Sequence, residues 1–233
     1  PPPSARGPPP GGGGSRGGFI ALSVLAAWGL LTTRRKGLAL VLILATVLCY
    51  QAFAPDSIAE RMSTIQDAED DSSFMGRVFA WRISSAIALA HPVFGGGFHA
   101  VQVQPIWDAF KAAPGLLGFL HLPVPTFSAK AAHSIYFEIL GDLGFVGLGL
   151  FLWLLLRALA NRGRIQRVVV RLGRGYQWAS DLADALMLSV LAYMVGGAAV
   201  SLGYYEGIYM VVMLMELLHL HVLRASVERE AAA

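Results

Sequence analysis

Long apolar runs separated by short polar clusters dominate the pattern of this chain. Each run, with its interfacial flanks, approaches the roughly 20 residues that a helix needs to span a bilayer. The runs cover residues 19–33, 38–54, 135–156, 182–202 and 207–223. The pattern predicts an all-α integral membrane protein with about five transmembrane helices, of which the first two form a tight hairpin within residues 15–54.

Basic residues cluster beside these runs and predict the orientation of the chain. One short group, Arg34, Arg35 and Lys36, separates the first two runs. A second group follows the third run and comprises Arg157, Arg162, Arg164, Arg167, Arg171 and Arg174. Short loops rich in Lys and Arg stay in the cytoplasm. Residues 55–132 are therefore expected to form one large extracytoplasmic loop, residues 133–223 three transmembrane helices, and residues 224–233 a cytoplasmic tail.

The large loop itself contains a helical pattern. Apolar positions at Phe79, Ile83, Ile87 and Ala90 predict an amphipathic helix over residues 73–90, which ends at the following His-Pro pair. Arg77 and Trp81 are four residues apart and share its other face. Residues 95–98, "GGGF", predict a turn, and residues 102–130 an irregular surface segment with one short helix near residues 106–111.

Composition agrees with a membrane protein and argues against a disulfide-stabilised or a nucleic-acid-binding protein. The chain is 55% apolar and 14% charged, with a mean hydropathy of +0.57, whereas soluble domains carry about 25% charged residues. Its single cysteine, Cys49, excludes an internal disulfide. The net charge of +3 arises from basic residues that act as topology signals, so we expect no nucleic acid partner.

Residues 1–14 are almost pure Pro and Gly, which predicts disorder because such a segment buries little apolar surface. Their abrupt junction with an apolar run is typical of a truncation or of out-of-frame translation. The sequence leaves both a native and a non-native origin open.

His133 lies where the loop re-enters the membrane, at the head of "HSIYFEILGDLGFVGLGL". An imidazole titrates near neutral pH and can accept a proton from a substrate whose head group lies at the interface. Ser134 is a candidate helix cap, and Glu138 and Asp142 are compatible with an interfacial first turn. An interfacial histidine without a catalytic role is the alternative that the residues leave open.

Other polar residues give weaker evidence of a functional site. The loop histidines lack ligand spacing, so no metal and no cofactor is expected. Glu216, in the last span, is expected to be protonated or paired with His219. A transporter that uses the polar residues of the spans as an ion path is an alternative; these residues are Glu138, Asp142, Glu206, Glu216 and His219.

Four motifs occur in an order that resembles the O-antigen ligase family. His133-Ser134, nine residues and then Gly144-x-x-Gly147 resembles the family signature. Upstream, "SRGGF" at residues 15–19, "GRVFAW" at 76–81 and "HPVFGGGF" at 91–98 resemble three further family motifs. The segment "SLGYYE" at residues 201–206 is most similar to O-glycosylation ligases of exosortase A-associated systems. Because family members have more spans, the resemblance covers their C-terminal part.

This resemblance implies a reaction and a set of site residues. It implies glycan transfer from undecaprenyl diphosphate to an acceptor hydroxyl of a lipid or protein, without a metal and with inversion, at the periplasmic face of the bacterial inner membrane. His133 would act as general base or orient the substrates. Arg77 and Arg16 would bind the diphosphate.

The same resemblance implies supporting residues and leaves rival functions open. Trp81, Ser134 and Arg82 would support the site. Arg82 lies five residues past Arg77, off its face, and is expected to contact solvent or head groups. The alternatives are a polymerase of the same superfamily, which extends one lipid-linked glycan with another, and a non-catalytic membrane fragment.

Overall fold

The computed structural model describes residues 69–232, and within them every regular element is helical. The α-helices are α1 (Glu69–Ala90), α2 (Gln104–Phe110), α3 (Ile135–Leu172), α4 (Gln177–Gly197) and α5 (Glu206–Ala231). Three short 3-10 helices lie at Ala100–Gln102, Gly118–Leu120 and Arg174–Tyr176. The predicted all-α fold class is confirmed.

Three of these helical segments are long and apolar enough to cross a membrane: Ile135–Leu172, Arg174–Gly197 and Glu206–Ala231. They coincide with the last three predicted spans. The first two runs, at residues 19–33 and 38–54, lie outside the described residues, as does the Pro/Gly-rich segment 1–14. The total of five spans therefore stays a prediction.

Helices α3, α4 and α5 pack together around a continuous apolar core. Ile139, Leu155 and Ile165 of α3 are almost fully buried against Val190 of α4 and Met215 of α5. Several large apolar side chains of α5 point outward, among them Met210, Leu214 and Leu217. An apolar exterior around an apolar core is typical of a helix bundle surrounded by lipid.

Helix α3 is far longer than its predicted span, and the prediction of a basic loop after residue 156 is wrong. The arginines from Arg157 to Arg171 continue the helix, because Val169 and Leu172 extend the buried seam into this region. Gly173, with φ of 86°, ends it. In the same way, most of the predicted tail, residues 224–231, belongs to α5.

The expected pairing of Glu216 with His219 is also wrong. The Glu216 carboxylate accepts hydrogen bonds from Arg157, with Nε at 3.2 Å, and from the Asn161 amide. Both partners come from α3. The sequence pattern of one helix predicts contacts within that helix. The Glu216 carboxylate of α5 instead forms its hydrogen bonds across the interface with α3.

A second, smaller core lies between α1 and the loop that follows it. Ile83 and Ile87 of α1 are fully buried against Val101 and Trp107 of the loop. The expected exposed face of α1 is largely absent within residues 78–88, because the loop and α3 cover most of its circumference. Ala90, placed on the apolar stripe by the pattern, is exposed.

Arg82 holds this loop in place, so the prediction that it contacts solvent or head groups is wrong. Its side chain is 4% exposed and donates hydrogen bonds to the carbonyl oxygens of Leu122, at 2.8 Å, and Lys111, at 2.6 Å. Irregular backbone leaves carbonyl groups without ladder partners, and a guanidinium supplies several donors at once. Burial lowers the pKa of Arg82.

Candidate active site

His133 lies at the junction between the loop and α3, with its backbone in an uncommon conformation. Its φ is 47°, in the left-handed region, and its N–H donates a 2.9 Å hydrogen bond to the hydroxyl oxygen of Ser201 from the α4–α5 connection. A non-glycine residue with positive φ persists where surrounding contacts hold it. The residue is exposed, while Ala132 before it and Ser134 after it are buried.

Trp81 of α1 fixes the backbone immediately before His133. Its indole N–H donates a 2.6 Å hydrogen bond to the carbonyl oxygen of Ala132. Its ring stacks on Phe137 in the first turns of α3, with centroids 5.2 Å apart and planes 9° apart. One side chain therefore ties the "GRVFAW" segment to both sides of His133.

Two cationic side chains act on the imidazole. Partial desolvation of the ring lowers the pKa of His133, and the charges of Arg77 and then Lys130 lower it further. At neutral pH the ring is therefore largely neutral, with one nitrogen free to accept a proton. The structure thus brings Arg77 and His133, which are 56 residues apart in the sequence, into one electrostatic neighbourhood.

Lys130 belongs to this cluster although the sequence pattern does not single it out. Its side chain passes over Gly76, where an added Cβ would lie 3.1 Å from the lysine Cδ and 3.2 Å from Nζ. The ammonium group also lies 4.9 Å from the centroid of the Phe127 ring. The only signal in the sequence is a cation three residues before His133. Gly76, in the motif that carries Arg77 and Trp81, leaves room for that cation.

Two buried carboxylates of α3 clamp the surrounding loops. Asp142 accepts hydrogen bonds from the backbone N–H groups of His99, at 2.7 Å, and Ala100, at 3.0 Å, and from the Tyr204 hydroxyl at 3.0 Å. Glu138 accepts the Gly203 N–H at 2.8 Å. Burial and Asp142 raise the pKa of Tyr204, which remains a protonated donor. These residues position the loops that border His133.

The glycine turn of the loop and a break in α3 fit into each other. At Gly144 the helix departs from helical geometry, with φ of 69°. The interrupted bonds are replaced across the contact: Gly96 N–H donates to Gly141 O at 2.9 Å, Gly97 N–H to Asp142 O at 3.0 Å, and Phe145 N–H to Pro92 O at 2.8 Å. Irregular backbone at membrane depth persists where protein satisfies it. The "HPVFGGGF" and G-x-x-G motifs therefore meet as one joint.

The remaining expected site residues lie differently. Ser134 occupies the N-cap position of α3 and is buried, but its side chain makes no capping hydrogen bond. Arg82 is engaged with the carbonyl oxygens of Lys111 and Leu122 described above. Arg16 lies outside the described residues, and its part in the site stays a prediction.

Metal ligands are not grouped in the part of the chain that the structure describes. No cluster of three or more His, Cys, Asp or Glu side chains there has the geometry to hold a metal ion. His99 lies near two carboxylates, but its Nδ1 is 3.7 Å from Glu138 Oε1 and 3.1 Å from the Gln102 amide. These contacts tie the ring into the loop clamp.

Comparison with known proteins places these motifs in a family. The model of the O-antigen ligase family matches residues 12–152, which is more than half of the chain and includes all four motifs. No curated protein matches the chain. The chain therefore belongs to the O-antigen ligase family, a group of membrane enzymes of ligase and polymerase type that act on lipid-linked glycans.

Proposed function

We propose that this member of the O-antigen ligase family transfers a glycan from undecaprenyl diphosphate to an acceptor hydroxyl. The observation that carries the proposal is an exposed histidine, His133, fixed at the junction of the loop and the bundle by Ser201 and Trp81, with the charges of Arg77 and Lys130 acting on its ring. The reaction requires a base for the hydroxyl proton and positive charge for the departing diphosphate. His133 supplies the first, and Arg77 with Lys130 the second.

In the proposed step, the acceptor hydroxyl oxygen attacks the anomeric carbon of the donor glycan. The bond between that carbon and the diphosphate oxygen breaks, and undecaprenyl diphosphate leaves with the bonding electrons. His133 takes the hydroxyl proton. Attack from the face opposite the leaving group inverts the anomeric centre, and no metal ion takes part.

Arg77 is the preferred diphosphate residue among the described cations. A guanidinium stays charged at any physiological pH and its planar fork matches two phosphate oxygens. Positive charge placed in advance where negative charge develops stabilises the transition state without reorganisation. Lys130 adds a point charge on the same side, and Arg16 is the further candidate from the upstream motif.

We place the site at the periplasmic face of the bacterial inner membrane. Support comes from the topology that the basic residues predict, because Arg157 to Arg171 lie toward the opposite end of α3 from His133. The acceptor distinguishes a ligase from a polymerase. A ligase uses a lipid or a protein as acceptor, and a polymerase uses another lipid-linked glycan.

The test is a transfer assay with the purified chain in proteoliposomes. A synthetic undecaprenyl-diphosphate glycan is supplied with lipid, peptide or lipid-linked glycan acceptors, and the product is measured by mass spectrometry. His133→Ala should lower the rate at least about 100-fold, the scale of general base catalysis. His121→Ala is the matched control, because His121 is also an exposed loop histidine with positive φ.

Three results would count against the proposal. Absence of transfer by the wild-type chain with every acceptor would remove it for this protein. Full activity of His133→Ala would exclude His133 as the base. A pH profile that keeps its shape in a weakly active His133→Ala variant would assign His133 to substrate orientation instead.

A further inference from the structure

A basic pocket lies at the opposite end of the bundle from His133. Its volume is about 220 Å³, and it is lined by Arg164, Arg167, Val168 and Arg171 of α3 and His219 of α5. With α3 rising about 1.5 Å per residue, Arg164 lies roughly 30 Å beyond the break at Gly144. That length matches the roughly 30 Å hydrocarbon thickness, so the two sites face opposite surfaces of the membrane.

The three arginines of the pocket form no ion pair with an acidic side chain of the described residues. Within residues 74–232, no carboxylate lies within 4.0 Å of Arg164, Arg167 or Arg171. Arg164 donates to the neutral Asn161 amide oxygen at 2.8 Å, and Arg167 to the Gly163 carbonyl oxygen at 3.2 Å. Three cations on one helix face therefore converge on the pocket without a counter-ion from the described chain.

His219 provides an independent sign of a missing partner. Its Nδ1 atom is buried and has no hydrogen-bond partner among the described residues. A buried polar nitrogen is rarely left unpaired. His219 borders the same pocket as the three arginines, so its ring lies beside any anionic oxygen bound there.

The pocket lies at the depth of lipid head groups. The apolar run of α5 ends at Leu223, one turn after His219, and Arg224 follows. His221 packs near Trp178, with ring centroids 6.0 Å apart, and near Tyr176, at 6.4 Å. Trp and Tyr are enriched where membrane meets water.

Apolar surface continues beside the pocket. Leu217, Leu220 and Leu223 of α5 are all exposed around the turns that carry His219. A soluble anion would not contact these leucines, whereas the acyl chains of a lipid would cover them. The combination of cations at head-group depth and exposed leucines beside them fits a phospholipid.

We infer that this pocket binds the phosphate group of an anionic phospholipid from the membrane leaflet opposite the His133 site. The three guanidinium groups contact the phosphate oxygens, and the acyl chains lie along the exposed leucines of α5. This site is separate from the glycan-transfer site and does not depend on the proposed reaction. It anchors the long extension of α3 at the membrane surface.

The test measures phosphatidylglycerol binding to the detergent-purified chain by native mass spectrometry, with phosphatidylcholine as the neutral comparison. Arg167→Gln/Arg171→Gln should weaken phosphatidylglycerol binding roughly 30-fold, from about 1 kcal/mol for each basic residue near an anionic lipid. Arg174→Gln/Arg224→Gln is the matched control, because it removes two exposed charges at the same end but outside the pocket. That variant should lose clearly less phosphatidylglycerol binding than Arg167→Gln/Arg171→Gln, because neither Arg174 nor Arg224 lines the pocket.

A second measurement uses only the wild-type chain and so does not depend on the folding of a variant. A photoreactive phosphatidylglycerol should crosslink to peptides that contain residues 164–171 or His219. Equal losses in the two double variants, or crosslinks confined to other peptides, would overturn the inference. Displacement of the lipid by inorganic phosphate at comparable concentration would also overturn it, because the site would then select free phosphate.

Discussion

The indole N–H of Trp81 donates a 2.6 Å hydrogen bond to the carbonyl oxygen of Ala132, the residue directly before His133. Through this bond a helix of the large loop sets the position of a histidine 52 residues further along the chain. The backbone of His133 is held from the other side by Ser201, which accepts its N–H. The candidate base is therefore fixed by contacts from two separate segments, α1 and the α4–α5 connection.

Replacing Trp81 by Phe tests this positioning role. The change removes the bond to Ala132 and keeps an aromatic ring against Phe137. We expect the transfer rate constant to fall about ten-fold or more, with little change in the apparent affinity for the donor, because small displacements of a reacting group are costly. Trp178→Phe, at the other end of the bundle, should leave both values unchanged. A Trp81→Phe enzyme with wild-type kinetics would argue against positioning.

The charge of Lys130 should contribute to the position of the acid limb of the pH profile. The pKa of His133 is lowered in the folded protein, so the neutral base is present above that pKa and is lost as pH falls through it. Lys130→Gln removes one cause of the lowering. The pKa of His133 should therefore rise toward its ordinary value, and the acid limb of the transfer rate should move to higher pH.

The same shift is measurable without activity, by NMR titration of the His133 imidazole with His133→Ala for assignment. Lys111→Gln is the matched control, because Lys111 pairs with Asp108 on the surface. An unchanged His133 titration in Lys130→Gln would show that the lysine does not act on the ring.

The joint between the glycine turn and α3 should tolerate no side chain at Gly144. Its φ is 69°, and an added Cβ would lie 2.6 Å from the carbonyl oxygen of Pro92. We expect Gly144→Ala to lower the free energy of unfolding by about 2 kcal/mol or more. Gly149→Ala, a helical position with open space around the added methyl group, should be neutral or slightly stabilising. Thermal unfolding in detergent measures the stability of both variants. Equal melting temperatures of Gly144→Ala and Gly149→Ala would contradict the close contact between Gly144 and the glycine turn.

The interhelical contact between Arg157 and Glu216 should stabilise the bundle through pairing. Glu216→Leu leaves the Arg157 guanidinium without its carboxylate, so the melting temperature should fall by several degrees. Arg157→Leu/Glu216→Leu removes both charges and should recover much of the loss, since an apolar pair is compatible with lipid. If Arg157→Leu/Glu216→Leu were less stable than Glu216→Leu, the prediction would be wrong. Arg157 would then stabilise the bundle even without its carboxylate partner.

Hydrophobic pattern was sufficient for the three membrane helices in the described part of the chain, because each must present about 20 apolar residues to lipid whatever its neighbours are. It did not predict the length of α3, because a cluster of arginines is typical of a loop, whereas Val169 and Leu172 continue the packed core and keep the chain helical. It also placed Arg82 in solvent. Residue type and spacing do not reveal that an irregular loop folds over α1 and needs the Arg82 guanidinium for its carbonyl groups.

By itself, the sequence determined the all-α membrane fold and the candidates His133, Arg77 and Trp81, because apolar length and short motifs are local properties of the chain. Only the tertiary structure decided that Lys130 joins the cations near His133 and that Glu138 and Asp142 serve as loop clamps. It also decided that the glycine turn satisfies the break at Gly144. Each of these depends on hydrogen bonds or charges between segments far apart in sequence, and their partners are set by packing.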